Sequence, residues 1–256
     1  PRFEVLSKLD NIPNLNNFDV ERNFLQLANF QYYTPQQFST DVEIKQTFQN
    51  NCFSAAHLNI RSLSANFDEF CVLLADLEHN FDLIGLSETK IKKDVGETAN
   101  TIIAGYDFIS QPTFSNAGGV SLYVKQGLRY HSRDDLSSVT KEFETLWIEI
   151  NNNCSKNIIC GVIYRHPNGK VEKFNEHLFS VIDRISKEKK LCIFMGDFNI
   201  NLLNYDTCSL TQDFVNTLGT YYFLPQIIQP TRITDHTTTL IDNIFISSTE
   251  HRLISG

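Results

Sequence analysis

Three strongly apolar stretches of this chain each stop at a polar residue that a core would not choose. Cys52 to Leu58 runs into Asn59, Phe81 to Ser87 runs into Glu88, and Leu191 to Met195 runs into Gly196-Asp197-Phe198-Asn199. A fourth run, Leu240 to Ile246, contains Asp242 near its start. Short apolar runs bounded by turn-forming residues read as buried strands. Strands lying side by side would carry their polar ends to one rim. Taken singly, an Asn or Asp at a strand end is ordinarily a turn former; the joint pattern is what carries information. Carboxylates and carboxamides gathered in one place are costly unless a cation or hydrogen-bond donors compensate. Oxygen ligands suit Mg²⁺, Mn²⁺ or Ca²⁺. The chain has no Cys/His spacing for zinc, no Gly-x-x-x-x-Gly-Lys-Ser/Thr loop and no Gly-x-Ser-x-Gly elbow.

Helical periodicity appears between these runs. From Ser64, residues Phe67, Phe70, Cys71, Leu74 and Leu77 share one face, and Val171, Phe174, Leu178, Val181, Ile182 and Ile185 share another. A third helix is expected near Leu210 to Leu218. Further strands are expected at Val120 to Val124, Leu146 to Ile150 and Ile158 to Tyr164. Many strands with about three helices fit a doubly wound parallel sheet poorly. They fit an α+β fold, a sandwich of two mixed sheets with helices outside. Residues 1–50 hold 13 Asn or Gln with weak periodicity and read as a partly ordered leader. Within it, Tyr32-Tyr33-Thr34-Pro35-Gln36-Gln37-Phe38 looks like a turn entering a short helix. Residues 51–256 form the main domain, and the start at Pro1 reads as a fragment or processed product.

Composition bounds the function. The chain is 41% hydrophobic, so it can bury a sizeable core. No run approaches the roughly 18 apolar residues of a spanning helix, and no secretory signal is visible, so no membrane partner is expected. A net charge of −8 argues against a basic nucleic-acid coat protein. It leaves a nuclease open, because a metal ion and a local basic patch attract phosphate. The six cysteines form no C-x-x-C pair and read as reduced core thiols.

The ordered motifs resemble a known family. His57-Leu58-Asn59-Ile60-Arg61-Ser62-Leu63 resembles the first strand of the endonuclease domain of non-LTR (LINE-type) retrotransposons. These domains belong to the endonuclease/exonuclease/phosphatase superfamily, with apurinic endonucleases and pancreatic DNase (DNase I-like). Leu86-Ser87-Glu88-Thr89 resembles its glutamate motif, Gly118-Gly119-Val120 the next strand, and Val162-Ile163-Tyr164-Arg165-His166-Pro167 its tyrosine motif. Gly196-Asp197-Phe198-Asn199 is the most specific match. Pro230-Thr231-Arg232 and Thr239-Leu240-Ile241-Asp242-Asn243-Ile244-Phe245 resemble the late motifs. The leader with its Tyr-Tyr-Thr-Pro segment also looks like the region preceding such domains.

The resemblance implies a four-layered sandwich and metal-dependent phosphodiester hydrolysis, with Mg²⁺ as cofactor and Mn²⁺ as a substitute. Glu88 would be the principal metal ligand, with Asn59 assisting the metal or orienting the scissile phosphate. Asp197 would orient and deprotonate the attacking water, Asn199 would position it, and Tyr164 would donate a hydrogen bond to the phosphate. Asp242 would support the network, and Thr231 would contact the DNA backbone. Arg61 and Arg165 lie beside these positions, either touching phosphate or as ordinary solvated strand-end charges. Lys90, Lys92 and Lys93 form a basic cluster after Glu88, either a solvated loop or a backbone contact. The implied partners are target DNA and a reverse transcriptase domain in the parent polyprotein. The implied location is intracellular, in a nucleus or nucleoprotein particle.

One departure stands out. The family pattern closes with Ser-Asp-His on a last strand, and the chain stops at Gly256, 14 residues after Asp242, without it. Asp235-His236 precedes Asp242, Glu250-His251 is an acid-His pair of the wrong type, and His57 reads as a packing or hydrogen-bonding group. The expectation is a domain truncated at its C-terminus, lacking its last strand, with weak or absent nicking. The competing readings are a superfamily phosphatase on a phosphorylated lipid or sugar, and a non-catalytic degenerate fragment. A secreted nuclease has only the sequon Asn153-Cys154-Ser155 in its favour.

Overall fold

A computed structural model of the chain describes residues 29–41, 44, 53–92, 101–151, 156–247 and 254–255. Strand β1 (Asn29–Phe30) and helix α1 (Pro35–Thr40) come first. Thr34 caps α1 reciprocally, its hydroxyl accepting from Gln37 N while Gln37 Oε1 accepts from Thr34 N at 2.9 Å. There follow β2 (Ala55–Asn59), α2 (Leu63–Asp76), β3 (Leu83–Ser87), β4 (Tyr106–Gln111), β5 (Val120–Lys125), β6 (Tyr130–Ser132) and β7 (Ser138–Val139). Then come β8 (Phe143–Ile150), β9 (Ile158–Arg165), α3 (Val171–Glu188), β10 (Leu191–Asp197) and α4 (Ser209–Thr220). The last elements are β11 (Leu224–Pro225), β12 (Arg232–Ile233), β13 (Thr238–Thr239), β14 (Asp242–Ile246) and β15 (Ile254–Ser255).

Two mixed sheets carry the domain. One has four strands in the order β2-β3-β5-β4. The other has seven, β11-β14-β10-β9-β8-β6 with β7 beside β8. Only β2–β3 and β9–β10 are parallel within them. The expected sandwich is therefore observed, and its layers follow from side-chain alternation. Leu83, Val120, Leu122 and Val124 of the small sheet meet Leu146, Cys160, Val162 and Met195 of the large one. The opposite face of the small sheet, Ile84, Leu86 and Tyr123, takes Phe67 and Phe70 of α2. The outer face of the large sheet, with Trp147, Ile163 and Phe194, takes α3 and α4. At Gly85 the two sheets approach closely: a Cβ there would lie 2.7 Å from Met195 Sδ.

The leader is not wholly separate from this body. Phe38 packs its ring 6.1 Å from that of Phe81, and the Tyr32 hydroxyl donates to the Pro230 carbonyl at 2.7 Å. Strand β15 pairs in parallel with β1, outside both sheets. Cys160 and Cys192 are buried in the core, whereas Cys71 and Cys208 are half-buried; Cys52 and Cys154 lie outside the described residues. No helix among the described residues is long and apolar enough to cross a membrane.

The end of the large sheet away from the polar rim is tied by charge. Arg133 donates to Glu149 at 3.0 Å and to Glu188 at 2.7 Å, and Lys190 donates to both at 2.8 and 2.7 Å. The Arg133 hydrogen bond holds the Glu188 carboxyl below its ordinary value. Burial works against the Glu149 charge, but its bonds from Lys190, Asn157 and Arg133 outweigh burial and depress it too. A carboxyl depressed in the folded chain contributes fully above the unfolded value near about 4.3 and loses that contribution as pH falls through its folded value. Chemical unfolding followed by circular dichroism should therefore show a loss of stability on acidification below about pH 4.3. Replacing both Glu149 and Glu188 with Gln should flatten that loss, and an undiminished acid dependence in the double variant would remove the cluster as its source.

Candidate active site

The strand ends meet as the sequence pattern requires. Across the large sheet, Glu144 pairs with Tyr164, Tyr164 with Asp197, and Asp197 with Asp242, which sets four polar side chains on one rung. The small sheet faces this rung with Asn59 at the end of β2 and Glu88 just past β3. Asn59 Nδ2 donates to Glu88 Oε1 at 2.9 Å and to Asp197 Oδ2 at 2.7 Å, joining the two sheets. Five of the six expected catalytic residues, Asn59, Glu88, Tyr164, Asp197 and Asp242, thus come together, and Asn199 lies one turn away on the Asp197 loop.

The electrostatics follow from this crowding. Asp197 is 2% exposed, and its carboxyl is pushed up by burial and then by the charges of Asp242 and Glu88. Burial also raises Asp242, against the hydrogen bond from Thr231. Tyr164 is buried, and burial together with the carboxylates of Glu88, Asp197 and Glu144 lifts its phenol above the ordinary value, so its proton stays on. His57 lies inside, its Nε2 3.1 Å from Ser87 Oγ and its Nδ1 4.0 Å from Asp242 Oδ1. Burial pushes that imidazole down to about 3, which keeps it neutral.

Several side chains do something other than expected. Arg165 is only 3% exposed, so it is neither a phosphate contact nor a solvated charge. Its guanidinium donates to the carbonyls of Phe198 (2.7 Å), His166 (2.9 Å), Gly169 (2.7 Å) and Asn199 (2.6 Å). It braces the loop that carries Asp197. Asn199 completes the brace: its N–H donates to Asp197 Oδ1 at 3.0 Å and its Nδ2 to the Arg165 carbonyl at 2.7 Å. The Thr231 hydroxyl donates to Asp242 Oδ2 at 3.1 Å and accepts from Asp242 N at 3.3 Å. Its observed contacts therefore aim Asp242. Arg61 is exposed at the rim, and its N–H donates to Asn59 Oδ1 at 3.2 Å. Asp235 and His236 sit exposed in the turn between β12 and β13. Lys93, Glu250 and His251 lie outside the described residues.

Sequence reading missed Glu144. It is 1% exposed, accepts the Gly119 N–H, and lies 3.5 Å from His166 Nε2. A Cβ on Gly118 would overlap its carboxylate, so only glycine lets this backbone reach it. The available signal was a carboxylate, Glu144, near the start of the largely apolar run Phe143 to Ile150.

The donor set fits a hard divalent cation. It is all oxygen, the carboxyls of Asp197 and Asp242 are raised by burial and then by neighbouring carboxylates, and Asp242 Oδ1 is buried with no hydrogen bond from the described residues. Among the described residues no group of three or more His, Cys, Asp or Glu encloses a metal. An ion here would rest on one or two carboxylates and retain water, as Mg²⁺ does. Asn59 presents its nitrogen to Glu88 and so orients that carboxylate.

Comparisons with known proteins bear on the family and the fold. The model of the Endonuclease/Exonuclease/phosphatase family matches residues 56–256. The structure is similar to the AP endonuclease LMAP from Leishmania major, with a TM-score of 0.62 and 16% identity over 88% of this chain and 90% of that one. It is similar to the endonuclease domain of TRAS1, a telomere-specific non-LTR retrotransposon (0.55, 15% identity, 76% and 84% coverage). It also resembles the Xenopus laevis APE2 catalytic domain (0.54, 17% identity, 75% and 81% coverage). At these identities the likeness concerns the fold. No curated protein sequence matches the chain.

Arg165→Lys tests the brace. Lysine cannot reproduce a fork that serves four carbonyls, so urea unfolding should show a loss of about 2–3 kcal/mol. Unchanged stability in Arg165→Lys, together with a reduced salt dependence of DNA binding in the charge-removing Arg165→Gln, would return Arg165 to a phosphate-contacting role.

Proposed function

The chain belongs to the endonuclease/exonuclease/phosphatase family, and from that premise we propose that it is a divalent-metal-dependent endonuclease nicking target DNA for a non-LTR retrotransposon. The observation that carries the reading is the Asn59 amide holding Glu88 and Asp197 together beside the Tyr164–Asp197–Asp242 rung. Such a seam suits a phosphodiester flanked by a cation on one side and a water-orienting carboxylate on the other. The retroelement branch is supported by the sequence motifs, above all Val162-Ile163-Tyr164-Arg165-His166-Pro167 and Thr239-Leu240-Ile241-Asp242-Asn243-Ile244-Phe245. That branch implies a reverse transcriptase domain in the parent polyprotein and work in a nucleus or nucleoprotein particle.

Glu88 would hold Mg²⁺, or Mn²⁺ in its place, and the ion when bound would neutralise charge on the phosphate oxygens. The protein's own groups do the rest. Asp197, fixed on Oδ1 by Asn199 N–H and on Oδ2 by Asn59, orients a water and accepts its proton. Tyr164 keeps its proton and donates a hydrogen bond to a phosphate oxygen. Asp242, aimed by Thr231, holds the negative field that retains the cation.

Supercoiled plasmid incubated with Mg²⁺ or Mn²⁺ provides the test. Relaxed circles from the wild-type chain would bear out this reading and overturn the expectation of weak or absent nicking, and that nicking is the baseline for the variant. Glu88→Ala should reduce the rate by about 10²-fold or more, and EDTA should abolish it. A folded wild-type chain that leaves plasmid intact but releases phosphate from an inositol phosphate would move the site to the phosphatase reading.

A further inference from the structure

The region matched by the family model begins at residue 56, yet a segment before it is bonded to the site. Three contacts seat residues 29–41 on the domain. Strand β1 pairs with β15, Asn29 with Ile254 and Phe30 with Ser255. Phe38 of α1 packs its ring 6.1 Å from that of Phe81, just before β3. In sequence between these two contacts, the Tyr32 hydroxyl donates to the Pro230 carbonyl at 2.7 Å. Burial pushes the Tyr32 phenol up to about 12, so it keeps its proton and stays a donor.

Pro230 closes the connection between β11 and β12. The first part of that connection is tied to β14: Gln226 N donates to the Ile244 carbonyl at 2.8 Å, and Asn243 Nδ2 to the Ile227 carbonyl at 2.8 Å. The next fixed point is Thr231, whose N–H donates to the Thr239 carbonyl at 3.0 Å and whose hydroxyl donates to Asp242 Oδ2 at 3.1 Å. Pro230, between the two, is buried and has no N–H of its own to anchor it. A buried carbonyl needs a donor, and one without it is drawn toward water. The Pro230 carbonyl and the N and Cα of Thr231 lie in one stiff peptide plane. Moving the carbonyl therefore moves Thr231. Asp242 is sensitive to that movement, because its Oδ1 is buried with no hydrogen bond from the described residues and Oδ2 takes the Thr231 hydroxyl.

We propose that Tyr32 is a positioning residue for Asp242, acting through the Pro230–Thr231 peptide, so that a segment outside the matched family region completes the site. For its effect on turnover the proposal rests on the nuclease reading above. Loss of the Tyr32 bond frees the peptide plane, loosens the aim of Asp242 and slows hydrolysis, while the surface that meets DNA is unaltered.

The test uses the whole chain with Tyr32→Phe, which removes one hydroxyl and keeps the ring. Amide hydrogen exchange, read by NMR without metal, should quicken roughly 2- to 10-fold at Thr231 and Asp242. It should stay unchanged at Phe194 in the middle of β10. A general loss of stability would quicken Phe194 as well and would overturn the proposal. In plasmid nicking, kcat should fall roughly 2- to 10-fold with KM for DNA unchanged. Thr231→Val removes the link to Asp242, and in that background Tyr32→Phe should cost nothing further in kcat. Unchanged exchange at Thr231 and Asp242, an unchanged kcat, or an undiminished loss in the Thr231→Val background would each overturn the proposal and leave the nuclease reading in place. A wild-type chain that does not nick, with exchange at Thr231 and Asp242 still quickened by Tyr32→Phe, would overturn the nuclease reading and support the positioning of Asp242 by Tyr32.

Discussion

Glu88, Asp197 and Asp242 repel one another at the seam of two sheets, and the amide of Asn59 is the donor that reaches two of them at once. The fold has to be stiff around that arrangement, because carboxylates free to separate would do so. Stiffness comes from the sheets themselves. Three of the four rung residues are fixed by the register of β9, β10 and β14, so Tyr164, Asp197 and Asp242 cannot drift without unpairing strands. The opposing pair, Asn59 and Glu88, is fixed by the parallel register of β2 and β3. Close packing between the sheets, at Gly85 against Met195, sets the gap that Asn59 spans.

Around this seam the backbone is strained. Arg61, Glu88, Lys90 and Asn199 have φ of 57°, 55°, 56° and 48°, a left-handed conformation that costs L-residues about 1–2 kcal/mol each. Each is held by specific bonds: Glu88 by those of Thr89 and Lys90 to Gly119 and Gly118, Asn199 by the Arg165 guanidinium, Arg61 by Asn59 Oδ1. Support extends outward through Thr231, which aims Asp242, to the Pro230 carbonyl gripped by Tyr32 of the leader. The segment at residues 29–41 therefore touches the loop that shapes the site.

The sequence was most legible where hydrophobic burial decides the outcome. The buried strands β3, β9 and β10 and the helices α2, α3 and α4 were visible as apolar runs or stripes, and the polar residues ending the runs formed the site. Strand β4 was not visible because Tyr106-Asp107-Phe108-Ile109-Ser110-Gln111 lies on a sheet edge, half-buried throughout, with no alternation to read. The β12–β13 hairpin, paired only as Arg232–Thr239 and Ile233–Thr238, is too short to show a period. Arg165 was misread because a charge at a strand end normally faces water; that its donors all find backbone carbonyls is a property of the folded loop. Glu144 became meaningful only through register, since nothing in the local sequence shows that it pairs with Tyr164 or meets Gly119.

The charge distribution completes the argument. A body of net charge −8 repels a polyanion at long range, where salt screens the field within about 10 Å. At short range the sign reverses locally, because Arg61, Lys90 and Arg232 are exposed beside the carboxylate seam. Arg61 and Arg232 also lower Asp242 against the burial that raises it. One set of basic side chains can therefore serve two ends, moderating the repulsion among buried carboxylates and giving phosphate a place to rest. On the proposed nuclease reading, these exposed cations are where a phosphate backbone would meet the seam.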